Sequence, residues 1–170
     1  MTSSQHPAAG WSNGFIGVLI FSASLPATRA AVIDLDPMFV TFARASIAGA
    51  LAVWLLAAFR AARPGREDMV SLFIVALGVV VGFPLLTALA LKHITSAHSV
   101  VFIGLLPLST AIFGVIRGGE RPRPAFWIFS CLGSALVAGF ALTQNSDASL
   151  TGDGLMLAAI IVCGLGYAEG

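Results

Sequence analysis

Six stretches of the chain are almost wholly apolar, with short polar segments between them: Gly14 to Ile33, Met38 to Phe59, Met69 to Ala90, Ala97 to Ile116, Ala125 to Thr143, and one that begins at Gly154. The first five are each about 20 residues long, enough at helical rise to cross a hydrocarbon core of roughly 30 Å. None alternates apolar and polar residues at period two, and each is about twice as long as a barrel strand, so transmembrane strands are excluded. A helix pairs its backbone groups within its own segment, as lipid demands. The pattern therefore predicts an all-α, polytopic membrane helix bundle. The sixth stretch, up to Gly170, amounts to roughly 25 Å of helix and reads as a cut-short opening of a further span, so the chain is expected to be part of a longer protein. The organisation predicted is a polar tail over 1–13, a five-span unit over 14–143, an external loop over 144–153, and the start of a second unit over 154–170.

Polar positions then set an orientation. If the spans alternate, one side of the membrane holds Arg60, Arg63, Arg66, Arg117, Arg121 and Arg123, while the other holds Lys92, with Arg29 and Arg44 inside the ends of spans on that side. Basic residues favour the cytoplasmic side, so the N-terminus is expected in the cytoplasm of the plasma (inner) membrane. The tail contains no Lys or Arg, and Arg29 interrupts the first apolar stretch, so neither fits a cleavable signal peptide.

Prolines divide the spans into two kinds. Pro26, Pro84 and Pro107 lie inside spans one, three and four, where each removes a helical hydrogen bond and bends the helix. The same spans carry most of the hydroxyls: Ser22, Ser24 and Thr28; Thr87; Ser99, Ser109 and Thr110. Spans one, three and four are thus expected to line a path, with two and five bracing them. The alternative is that the kinks only shape packing. Pairs of small residues four apart, such as Gly78 with Gly82 and Ala135 with Gly139, allow close helix approach in either case.

Intramembrane charge supplies the remaining candidates. A guanidinium within a span needs water or a partner, so Arg29 and Arg44 have two open roles. They pair with Asp34 and Asp36 to hold the first hairpin, or Arg29, beside Pro26 and Thr28, meets an anionic group of a solute. Glu120 lies among Arg117, Arg121 and Arg123 and is expected to form a loop salt bridge. His93 and His98 are five apart, which does not put two ligands on one helix face, so no metal is expected. The depth of Glu169 is undetermined.

Composition narrows the function classes. With 58% hydrophobic and 10% charged residues, the chain cannot clothe a soluble globule. It has no basic run for nucleic acid, and both cysteines, Cys131 and Cys163, fall in apolar stretches, where reduced thiols are expected. No HExxH, GxSxG, CxxC or phosphate loop occurs, and no enzymatic role or cofactor is expected.

In order and spacing, GFIGVLIFSASLPATRAAV, FVTFARASIAGAL, FPLLTALALKHITSAHS and GLLPLSTAIFGVIRGGERPRPAFW resemble the first half of the drug/metabolite transporter superfamily, EamA-type branch. Pro107 and the elbow Gly119, Glu120 and Arg121 match features that recur there. The resemblance implies ten spans in two inverted five-span repeats, of which this chain holds the first and, in GDGLMLAAIIVCGLGYAEG, the start of the second. It implies a secondary transporter of small metabolites, for which the placement of prolines, hydroxyls and arginines gives the candidate path residues Ser22, Pro26, Thr28, Arg29, Arg44, Pro84, Thr87, Pro107, Ser109 and Thr110, with Glu120 as the loop residue. A coupled proton and a homodimer are open, as is a non-transporting membrane scaffold.

Overall fold

A proline ring clashes with the carbonyl four residues before it and supplies no N–H, and in this chain each internal proline disturbs its span at that distance, ending a helix in spans one and four and widening the turn in span three. The computed structural model describes residues 7–61, 64–143 and 149–170. Span one is α1 (Pro7–Ser22) and α2 (Ser24–Asp34), so that α1 ends four residues before Pro26. Span four is α6 (Ser96–Ile103) and α7 (Leu106–Gly118), and α6 ends four residues before Pro107. Span three is α4 (Met69–Val75), a π-helical segment (Ala76–Gly82) and α5 (Phe83–Ala90); the wide turn contains Val80, four before Pro84. In α5 and α7 the proline falls in the first turn, where its missing N–H would have had no partner anyway. Spans two and five, without internal prolines, are the unbroken helices α3 (Pro37–Ala58) and α8 (Pro124–Thr143).

The sixth apolar stretch forms a longer helix than the sequence pattern suggests. Helix α9 (Leu150–Glu169) starts four residues ahead of Gly154, because the Ser149 hydroxyl accepts a hydrogen bond from the Gly152 N–H at 3.4 Å and Asp153 supplies a negative charge in the first turn. It is 20 residues long and apolar enough to span a bilayer, as are Gly10–Asp34, Pro37–Ala58, Met69–Ala90 and Ser96–Gly118. Helix α8 is likewise apolar and 20 residues long. Helix α1 likewise reaches back to Pro7, into the expected polar tail; the rest of the tail, 1–6, lies outside the described residues, as do 62–63 and 144–148 of the expected loops.

Helix α9 occupies the middle of the packing. It lies against α7, α5, the π-helical segment and α4, and buries Met156, Ala159, Ile160 and Cys163. One buried cluster joins Ala90, Ile94 and Met156, with Phe102, Ile103 and Leu155 against it; another joins Val32, Ala88 and Leu91 of spans one and three. Around this centre the apolar side chains of α1, α3 and α8 face outward, Trp11 at 82% exposure among them, as they must if the surrounding solvent is lipid.

Both arginine-rich elbows begin with a residue in the left-handed region. At the end of span four this is Gly119 (φ 63°), after which the Glu120 N–H reaches the Gly114 carbonyl at 3.2 Å. At the end of span two it is Arg60 (φ 49°), whose neighbour Ala61 donates to the Leu56 carbonyl at 3.0 Å.

Candidate functional site

Where the three proline breaks approach one another, the structure leaves a small pocket lined from four spans: Ser24, Leu25 and Thr28 of span one, Arg44 of span two, Pro84 and Thr87 of span three, and Ile103 of span four. Its volume is about 10 Å³, the room of a single water-sized atom. A larger open groove, about 990 Å³, runs from Ile103 along Leu106, Pro107, Thr110 and Gly114 to Glu120 and Arg121, with Phe126 of span five and Tyr167 of span six at its sides. Ile103, the last residue before the break in span four, lines both.

The expected path residues thus fall into separate groups. Thr28, Arg44, Pro84 and Thr87 come together around the small pocket; Pro107, Thr110 and Glu120 share the groove. Span two also contributes Arg44 to the small pocket and span five Phe126 to the groove, beside the spans expected to line a path. Ser22 and Pro26 are exposed, and the Ser22 hydroxyl donates back to the Leu19 carbonyl at 2.7 Å. Ser109 does not line the groove, and its hydroxyl donates to the Ile160 carbonyl of α9 at 3.2 Å.

The arginine pair at the first hairpin forms no ion pair with Asp34 or Asp36 among the described residues. Arg29 donates to the Leu91 carbonyl, one of the carbonyls that the end of span three leaves without a helical partner. A cation at that end also faces the negative pole of the helix. Asp36 is engaged as the cap of α3: its Oδ1 accepts from the Met38 N–H at 2.9 Å and the Phe39 N–H at 3.2 Å. Arg44 makes no hydrogen bond or ion pair among the described residues, and Thr87, only 4% exposed, has a buried hydroxyl without a partner.

Two side-chain contacts tie α9 to its neighbours. At one end the His98 Nε2 lies 2.9 Å from Asp153 Oδ1, with the His98 ring tilted against Phe102 and its Nδ1 buried and unpartnered. At the other, the Arg117 Nε–H donates to Glu169 Oε1, and the Ser71 hydroxyl donates to Glu169 Oε2 at 3.2 Å. Glu169 thereby sits at the helix end beside the 117–124 elbow, not at mid-depth. With Arg117 so engaged, the loop salt bridge expected for Glu120 does not form among the described residues. Its carboxylate lies instead over Gly114, where a Cβ would come within 2.9 Å of Oε2. Sequence reading missed both contacts because their partners are 55 and 52 residues apart; the one local signal was Asp153 in the first turn of its helix. No cluster of three or more His, Cys, Asp or Glu suited to a metal occurs among the described residues.

Comparison with known proteins fits this arrangement. The chain is 70% identical over 161 residues to the uncharacterized transporter YdeK of Bacillus subtilis (strain 168), covering 95% of this chain and 56% of that protein. It is 25% identical over 143 residues to an uncharacterized transporter of Archaeoglobus fulgidus, covering 82% of this chain and 50% of that protein. The chain therefore spans about half the length of the curated relatives it matches. No solved structure matches. The pattern of the EamA-like transporter family matches residues 9–143, from the first helix to the end of the fifth span, and the chain belongs to that family.

Proposed function

We infer that this chain supplies the first half of a secondary carrier that moves small metabolites across the inner membrane, with its N-terminus and both arginine-rich elbows in the cytoplasm. The observation that carries the reading is the meeting of three proline-broken spans at one pocket, in a chain of a transporter family. Broken helices leave backbone and side-chain polar groups free to face a solute, and a packed core with alternative arrangements at its breaks can open to one side and then the other. The five-span unit followed by α9 supports the inverted-repeat reading, since an odd number of crossings makes the next unit start from the opposite face.

Reconstitution of the complete gene product into proteoliposomes tests this. Saturable flux of at least one solute from a broad metabolite panel is expected. Pro84→Ala and Pro107→Ala, which remove the ring's clash with the carbonyl four residues back, should each lower that flux about tenfold by favouring one arrangement of the breaks. A protein that is folded yet moves nothing across the panel favours a non-transporting scaffold and overturns the carrier.

A further inference from the structure

We propose that the small pocket at the proline breaks is an anion-receiving site, in which Arg44 and Thr87 hold one carboxylate oxygen of the solute. The proposal rests on the carrier reading only for the word solute; the binding itself is a property of this chain. The Thr87 hydroxyl is buried with no acceptor or donor, and a group so placed is normally satisfied in a folded protein. Arg44 lies seven residues into α3, about 10 Å along its axis from Pro37; it is exposed on this chain, and a guanidinium facing lipid there without a partner is unfavourable.

Chemistry selects the ligand. Arg44 offers only donors and a positive charge, which rules out a cation, while the Thr28 hydroxyl already donates to the Ser24 carbonyl at 2.7 Å. What remains is a charged donor and a free hydroxyl around a space of one oxygen atom, the arrangement that receives a carboxylate oxygen. Ile103 lines both this pocket and the groove, whose nearby wall of Leu106, Pro107 and Ala111 is apolar. The solute class is accordingly a small organic carboxylate with an apolar body. Arg29, which sequence alone offers for this role, donates to the Leu91 carbonyl and does not line the pocket.

The test is direct binding to the 170-residue chain in lipid nanodiscs, with butyrate as the probe and the Arg44 side-chain and Thr87 methyl resonances as the readout. Saturable shifts at both residues are expected, with affinity weakened about tenfold or more by Arg44→Gln, by a smaller factor in the isosteric Thr87→Val, and unchanged by Arg29→Gln. Arg44→Lys keeps the charge and should retain most of the binding, which separates loss of the ligand contact from loss of the fold. Non-saturable shifts, binding unaffected by Arg44→Gln, or equal shifts with the neutral isostere butyramide or with chloride overturn the proposal. If butyrate fails to bind while the complete protein carries neutral solutes, the anion site falls and the carrier stands; butyrate binding without any flux has the opposite meaning.

Discussion

Gly164→Ala should weaken the chain sharply, because α7 and α9 touch backbone to backbone at that point. A Cβ on Gly164 would come within 3.0 Å of the Ser109 carbonyl carbon and closer still to the Ser109 side chain, and backbone cannot swing aside as the end of a long side chain can. The same clash displaces Ser109 from the Ile160 carbonyl. Overpacking of this kind costs about 1–3 kcal/mol, and the lost hydrogen bond about 1 kcal/mol more. Gly154 provides the control on the same helix, since nothing lies within 4 Å of its Cβ position. There alanine should stabilise by about 0.5–1 kcal/mol through helix propensity alone. Unfolding in mixed micelles measures both, and equal effects at the two sites would mean that α9 does not pack against Ser109.

Asp153→Ala is expected to loosen the other end of the same helix. His98 is 8% exposed, its Nδ1 already lacks a partner, and the carboxylate of Asp153 is the only contact its Nε2 makes among the described residues. Removing it leaves a buried imidazole with neither nitrogen satisfied, a penalty of about 1–3 kcal/mol, and takes a favourable charge from the first turn of α9. Asp153→Asn, which keeps an acceptor, should lose less. In a double-mutant cycle, His98→Ala and Asp153→Ala should couple by about 0.5 kcal/mol or more. Strict additivity would show the contact to be energetically idle.

Apolar runs, arginine-rich elbows and prolines carry the architecture in a form that can be read from the chain, since each acts on its own neighbours. A proline ring clashes with the carbonyl four residues back, so Pro26 and Pro107 foretell the breaks that follow Ser22 and Ile103, and Pro84 the wide π-helical turn around Val80. The site residues could be named but not grouped, because grouping depends on which spans meet. Thr28, Arg44 and Thr87 share a pocket only because α2, α3 and α5 pack together, and nothing local marks Leu91 as the partner of Arg29, 62 residues away. Asp36 has competing local and distant uses, and the local cap prevails, since it satisfies two backbone N–H groups at the cost of no long-range ordering. Helix α9 begins earlier than its apolar pattern because Ser149 and Asp153, polar and easily read as loop, are also good helix starters.

All of this depends on the apolar helices crossing the bilayer alternately, with the elbows at 60–68 and 117–124 inside the cell. Single-cysteine labelling is the direct measurement, made in intact cells with a membrane-impermeant maleimide after Cys131 and Cys163 have been replaced by alanine. The account predicts that Lys92→Cys reacts from outside, while Glu67→Cys and Arg121→Cys react only once the cells are permeabilised. Labelling of positions 67 and 121 from outside with position 92 protected would reverse the orientation, and all three reacting from one side would contradict the threading itself.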